Sequence, residues 1–501
     1  MNEIEKKFKQ DVEKSQKIDL KFDTEQLEIN QDVIVPRRKN GRFIGLIIAA
    51  SVCTVLVATI VPTAVYIINQ LPTTSSVKTY QKRYNLNEIK IAESNTFKKL
   101  NNIAYPNGEI PTQSEIADEE KLAFDNFANV TYRSLIDTSK KDNMSYCPVG
   151  LYAILNQLSY AASLDEVKTN LNSILGLNET ERVKFYQKVM LANSYASENT
   201  STQIKNAAFF SNKFQYADSY VDQLSKIYTE AYELDFIKEA KKIVEWVNEA
   251  VNESGFIDTK FLELNEETCL YLFSTLYFKN AWANKYLSAD NIKDDFHLSD
   301  NKTVQTTFMS HSYFTPKYYD YDSYISFKDY YQSRASITYL VPKNINDNIY
   351  TLTKDINIFS EDEEKAIYPS EDKEMGGHFK VNLKTPKFKL KAELDFERCL
   401  KNLGLEKMYD RDYNSFANAF TPESINGYNI YMQKVKQKNE VEFNEDGTIV
   451  KSVSMGAAGG AANMMNNAVL DVELNQPFIY IIRDANDTPI FVGHVDNPNA
   501  K

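Results

Sequence analysis

The sequence predicts an α+β domain at the C-terminal end of a longer chain. Three observations carry this. Helical spacing of apolar residues dominates the first half of residues 114–501, strand-like alternation dominates the second, and neither a regular βαβ alternation nor an internal repeat joins them. At 43% hydrophobic and 25% charged residues the 501-residue chain is compositionally a folded protein, and a net charge of −12 gives nucleic-acid binding no electrostatic support.

Residues 1–42 mix acidic and basic side chains with few large apolar ones and are expected to form a poorly ordered cytoplasmic tail. Residues 43–71, "FIGLIIAASVCTVLVATIVPTAVYIINQL", hold no charge. Crossing a bilayer takes about 20 apolar residues in a helix, so this run is long enough for one transmembrane helix, with Pro62 a tolerable kink. A cleaved signal peptide is the alternative, but 42 residues precede the run and the run itself is too long for one. Arg37, Arg38, Lys39 and Arg42 crowd its N-terminal side, which places the N-terminus in the cytoplasm and the C-terminal part outside a single-pass cell membrane. Residues 72–113 read as a polar stalk.

Within 114–501, "DEEKLAFDNFANVTYRSL" puts Leu122, Phe124, Phe127, Val130 and Leu135 at near-helical spacing behind a run of acids. "VGLYAILNQLSYAASL", "YADSYVDQLSKIYTEAY" and "AKKIVEWVNEAVNES" read as further helices, and "NAAFFSN" as a short strand. "CLYLFSTLYFKNAW" has the aromatic and β-branched content of a strand buried on both faces. "FKVNLKTPKFKLKAELDF" alternates, with Val381, Leu383, Phe388 and Leu390 on one face. "DFERCLKNLGLEKMY" reads as a helix, and the acidic segment 360–377 as a solvated loop.

Catalytic chemistry is not evident. There is no nucleophile elbow, zinc-binding helix motif, Walker loop or dinucleotide fingerprint. His297, His311, His378 and His494 are scattered and read as surface or packed residues. Cys147, Cys269 and Cys399 are too far apart for a disulfide framework or zinc site and read as free thiols. Neither an enzyme nor a bound cofactor or metal is expected.

Near the C-terminus, "EDGTIVKSVSMGAAGGAANMMNNAV" holds no charge between Lys451 and Asp471 and consists mostly of small side chains. With "NEDGT" before it and "LNQPFIYIIRD" and "TPIFVGHVDNP" after it, the region resembles the C-terminal signature of the serpins. "LYLFSTLYFKNAW" is similar to that family's central strand leading to its tryptophan, here Trp282, and "VEWVNEAVNESGFI" and "YCPVGLYAILNQLSYAA" are similar to two of its helices. The resemblance covers nearly all of 114–501, in family order. It implies three β-sheets, about nine helices and an exposed reactive-centre loop that baits a protease. By the same resemblance the loop is expected to insert into the largest sheet on cleavage, so that the chain is expected to act as a suicide inhibitor of serine-type or cysteine proteases.

What the resemblance implies for residues is specific. Glu445, Gly447, Thr448 and Val450 correspond to the loop hinge, Trp282 and Lys387 to the region where the sheet opens, and Glu445 is expected to pair with Lys387. Counting forward from Glu445 places the reactive bond at Ala461–Ala462, and counting back from Pro477 reaches Asn466, with Met464 and Met465 as reserve positions. Nothing basic lies between Lys451 and Arg483, so an elastase-like or subtilisin-like target is expected rather than one that reads Lys or Arg. Alternation from Thr448 puts Val450, Ser452, Ser454, Gly456 and Ala458 on one face, all small or β-branched. Two departures keep a non-inhibitory serpin-fold binding or adhesion module open as the alternative. The loop has "IVKSV" where alanines are usual and carries three glycines. Cys147, Gly150, Ser274 and Gln437 stand where Ser, Ser, Asn and His are usual.

Overall fold

The computed structural model describes residues 89–136, 142–197, 199–344, 349, 357–369, 377–448 and 468–500. The tail, the apolar run 43–71 and residues 72–88 lie outside these, as do loop residues 449–467 with Val450, Ala461, Ala462, Met464, Met465 and Asn466. Among the described residues no helix is long and apolar enough to cross a membrane.

Three sheets form. The largest runs β1 (Phe97–Lys99), β5 (Thr229–Leu234), β4 (Ser201–Ser211), β6 (Leu270–Ala281), β16 (Gly447–Thr448), β15 (Lys436–Asn444) and β14 (Phe388–Asp395), with β3 (Ser194–Ala196) against β4. The second runs β12 (Ala366–Ile367), β9 (Tyr318–Asp320), β10 (Tyr324–Tyr330), β11 (Ser336–Pro342), β18 (Phe478–Arg483), β19 (Pro489–Val495) and β2 (Met144–Tyr146). The third runs β17 (Val469–Glu473), β13 (Phe379–Pro386), β8 (Thr303–Thr315) and β7 (Ile292–His297).

Eight α-helices are present among the described residues. They are α1 (Asp118–Leu135), α2 (Pro148–Ala161), α3 (Asp165–Leu175), α4 (Glu179–Ala192), α5 (Asp218–Lys226), α6 (Phe236–Ala250), α7 (Thr259–Leu262) and α8 (Glu397–Leu400). Their starts follow from capping chemistry. The Asn178 side chain accepts the Glu181 amide while Glu181 accepts the Asn178 amide, and Asp235 caps α6 through the amides of Ile237 and Lys238. On α1 the buried face is Phe124, Phe127, Ala128 and Tyr132; Leu122 and Val130, expected with them, point to solvent.

Several elements differ from the sequence reading. "TEAY" leaves the expected helix and opens β5, because the parallel ladder with β4 claims it. "FKVNLKTPKFKLKAELDF" is two strands in two sheets, and the chain crosses between them at Pro386 and Lys387, where the ladder cannot use a proline N–H. The helix after Phe396 breaks at Gly404, whose φ is +85°. Acidic residues 360–367 are not a free loop: Glu361 and Glu363 accept the Tyr319 hydroxyl, and Lys328 pairs with Glu361 at 2.8 Å.

The largest correction concerns the stalk. From Ile89 onward it belongs to the domain. Phe97 is fully buried and stacks on Tyr232 at 5.3 Å, while β1 adds an edge strand to β5. Lys99 reaches Glu230, a fully buried carboxylate, at 3.0 Å; that carboxylate also accepts Trp246 Nε1–H and the Tyr232 hydroxyl, both at 2.8 Å. "FKK" is too short and too charged to announce itself as a strand, so only its tertiary partners reveal it.

A chain beginning at residue 114 should therefore be less stable than one beginning at residue 74. Lys99→Ala in the longer chain, by stranding the buried Glu230 charge, should cost about 3 kcal/mol in denaturant unfolding. Equal midpoints for the two truncations would restore the stalk reading.

Candidate functional site

In the largest sheet the strands β6 and β15 flank β16 and, among the described residues, share no ladder of their own. Only β16 joins them: Gly447 pairs with Ala281 and Asn444, and Thr448 pairs with Asn280 and Phe443. Below that two-residue wedge, no described strand pairs with the facing edges, and a cleft with a cavity of about 1370 Å³ opens between them. Cys147, Gly150, Ser274, Leu276, Gln437 and Asn439 are among its lining residues. Expected to be buried on both faces, β6 is half-exposed over Leu270–Leu272, where this edge has no neighbour among the described residues.

The wedge is held from three directions. Gly447 has φ +145°, and a Cβ there would stand 2.0 Å from the Asn280 carbonyl oxygen, so only glycine fits between β6 and β15. The Thr448 hydroxyl, buried, shares a 2.7 Å hydrogen bond with the Tyr331 hydroxyl. Tyr331 lies flat on Trp282 at 4.7 Å, and Trp282 Nε1–H donates to the Asn444 carbonyl at 2.9 Å, just ahead of the wedge. Phe443 stacks on Phe388 at 4.3 Å and closes the inner side.

Glu445 and Lys387 form the expected pair, at 2.8 Å, and Asn291 adds a hydrogen bond to the same carboxylate. Burial pushes Glu445 up, but the hydrogen bonds from Lys387 and Asn291 outweigh it and hold the group below the usual glutamate value. Lys387 is 35% exposed, so solvent screening limits the pair to about 1 kcal/mol or less. Its role is orientation: it joins the start of the loop to the crossing point between two sheets.

A strap covers the front of the cleft. The segment between α6 and β6 reaches over to β15, where Glu263 takes both Lys434 and Lys436, and Lys438 lies over the rings of Phe256 and Phe261 at 5.5 and 6.0 Å. Hydrogen bonds from Lys434 and Lys436 pull Glu263 down to about 2. At the floor, Gln437 bridges β15 to the start of α2. Its amide oxygen accepts the Cys147 N–H at 2.8 Å, and its nitrogen donates to the Cys147 carbonyl at 3.0 Å.

The serpins, serine protease inhibitors, match this chain over residues 122–498. The chain is a serpin. Among curated relatives it is 27% identical over 375 residues to Serpin-ZXA of Oryza sativa subsp. japonica, spanning 71% of this chain and 90% of that one. It is 24% identical over 401 residues to alpha-1-antiproteinase 2 of Equus caballus, spanning 76% and 88%. In fold it is similar to the thermophilic serpin tengpin in its native state, with a TM-score of 0.63 and 21% identity over 77% of this chain and 96% of that one. An Arabidopsis serpin in its native stressed conformation gives 0.62 and 19%, over 77% and 100%.

The departures at the cleft floor of this serpin explain one another. A Cβ on Gly150 would stand 3.0 Å from Gln437 Nε2. Glycine at 150 thus makes room for the longer glutamine at 437, and Gln437 still ties β15 to α2. Cys147 and Cys399 are buried free thiols and Cys269 is a half-buried one; burial pushes Cys147 up to about 12, which leaves it inert. Sequence reasoning missed Tyr331, Asn291 and the strap, because nothing in a linear pattern announces contacts made across three sheets.

Tyr331→Phe should leave the buried Thr448 hydroxyl without its partner and loosen the hinge by about 1–2 kcal/mol. Limited proteolysis between Asn444 and Thr448 checks this. Wild-type resistance in that variant would remove Tyr331 from the hinge seat.

Proposed function

We propose that this serpin is a membrane-tethered suicide inhibitor of serine-type or cysteine proteases, held outside the cell by the apolar run 43–71 with its N-terminus in the cytoplasm. The observation that carries the reading is the cleft. A strand-wide gap in the largest sheet already holds the first two residues of the loop.

The sequence of that loop complements the gap. Continuing the register of Thr448 against Phe443 sets Val450 opposite Val441, Lys451 opposite Glu440, Ser452 opposite Asn439 and Ser454 opposite Gln437. Apolar meets apolar on the inner face, serine meets the amides of the floor, and the loop's one cation meets a carboxylate on the outer face. In the present state Glu440 is shared by Lys389 and Lys391.

The mechanism follows from this arrangement. A target protease attacks the Ala461 carbonyl, forming an acyl-enzyme, and the Ala461–Ala462 bond breaks. The loop then enters the cleft as a central strand from Thr448 downward, and the protease is carried with it before water can release the acyl group. Small side chains around Ala461 suit an elastase-like or subtilisin-like specificity pocket.

Mixing the full-length chain with an elastase-like protease should yield an adduct that survives SDS, and the released fragment should begin at Ala462. Thr448→Arg buries a charge on insertion, a cost of several kcal/mol, and should convert inhibition to plain cleavage. Cleavage without adduct in the wild type would instead support a non-inhibitory binding module.

A charge swap tests the register. Lys451→Glu should lower the ratio of adduct to cleaved chain, and adding Glu440→Lys should restore it. No effect from either change would mean that the two residues never face each other.

A further inference from the structure

The cover over the cleft is fastened on two sides by unlike contacts. α6 and the strap that follows it form one body. Asn248 on α6 accepts the Ile257 amide at 2.9 Å and donates to the Ile257 carbonyl at 3.3 Å, and Ile257 and Leu262 are buried with Val247 and Ala250 in one apolar cluster. Phe209, Tyr232 and Phe273 bring β4, β5 and β6 into that cluster, which is separate from the main core.

On the β5 side the fastening is dry. Glu230, whose side chain has no exposed surface, accepts Trp246 Nε1–H from α6 at 2.8 Å and Lys99 from β1 at 3.0 Å. The chain ahead of β1 adds Ile89, and β1 adds Phe97, to the same apolar cluster. This stretch also binds the start of α6. Glu239 accepts the hydroxyls of Ser94 and Thr96 at 2.6 and 2.7 Å, and the Asp235 amide donates to the Thr96 carbonyl at 3.1 Å.

On the β15 side the fastening is wet. Glu263 reaches Lys434 and Lys436, and the side chains of Glu263 and Lys434 are 42% and 45% exposed. Beside them the Thr268 hydroxyl donates to Gln433 Oε1 at 3.3 Å, and the Tyr431 hydroxyl donates to Glu267 at 3.2 Å. Magnitudes separate the two sides. An exposed ion pair shifts an equilibrium by about fivefold or less, because water competes for both partners and salt screens them. Taking a partner from a buried carboxylate strands a charge away from water, at a cost on the order of a hundredfold or more.

We propose that α6 and the strap form a lid that opens at its β15 side, by release of Glu263 from Lys434 and Lys436, while Glu230 with Trp246 and Lys99 holds the β5 side as the pivot. The inference rests on the reading that a strand enters the cleft, for which the lid is the gate. It gives residues 89–101 a role in that gate: they keep α6 on the sheet while the strap tip swings. Salt then acts on one side alone, since screening weakens the wet latch and leaves the dry pivot as it was.

Hydrogen–deuterium exchange of the intact full-length chain, with no protease present, reads the two sides separately. Between about 0.05 and about 1 M sodium chloride the screening length falls to about 3 Å, and exchange in the strap tip Glu263–Thr268 should rise about three- to fivefold while α6 stays unchanged. Glu263→Gln should give the same rise at low salt and abolish the salt response. Trp246→Phe should instead raise exchange in α6 and the strap together, on the order of tenfold or more. Joint loosening of α6 and the strap by Glu263→Gln overturns the proposal, and so does a strap tip that neither salt nor Glu263→Gln moves. Where Trp246→Phe does not fold, Ser94→Ala with Thr96→Ala strips Glu239 of both hydroxyl donors and must loosen α6; unchanged exchange there removes the pivot. No step of this test uses loop cleavage, so a nicked chain that gains no thermal stability would count against the insertion reading and leave the lid measurement intact.

Discussion

The hydrogen-bond ladder that β6 and β15 do not make is the constraint on which this structure turns. A sheet edge left unpaired inside a domain is a standing invitation to another strand. Here two such edges face each other across a strand-wide space. Magnitudes explain why the choice is delicate. A strand paired on both sides gains about 2 kcal/mol per residue from two backbone hydrogen bonds, and ordering it costs about 1–2 kcal/mol per residue. The two terms nearly cancel. What tips the balance is apolar burial along an edge where Leu270 to Leu272 are now half-exposed.

The surroundings of the cleft suit that near-balance. At its head, Gly447, in a conformation that glycine alone allows, and Thr448 form a short strand between the two edges, from which the proposed insertion would continue. At its floor, Gln437 clamps β15 to α2 and fixes one bank. Across its front, the strap is bound to the β15 side through Glu263 and Lys438, and under the proposed mechanism it would have to yield before a strand passes beneath it.

Local pattern reached much of this. Apolar spacing located α2 and α6, alternation located β13 and β14, and resemblance to the serpins placed Glu445 against Lys387. What stayed hidden was set by tertiary context. β1 is three residues long and is a strand only because β5 lies beside it. β5 sat inside a helix-like stretch, and Pro386 concealed a passage between sheets. The cleft itself has no sequence signal, since it consists of pairing that is absent among the described residues.

The central claim is that the cleft receives the chain's own loop, and thermal melting after a single nick within residues 449–467 tests it most directly. If the loop enters as a full central strand, the nicked protein must melt well above the intact one. A nicked chain that melts at the same temperature, or lower, would contradict the account.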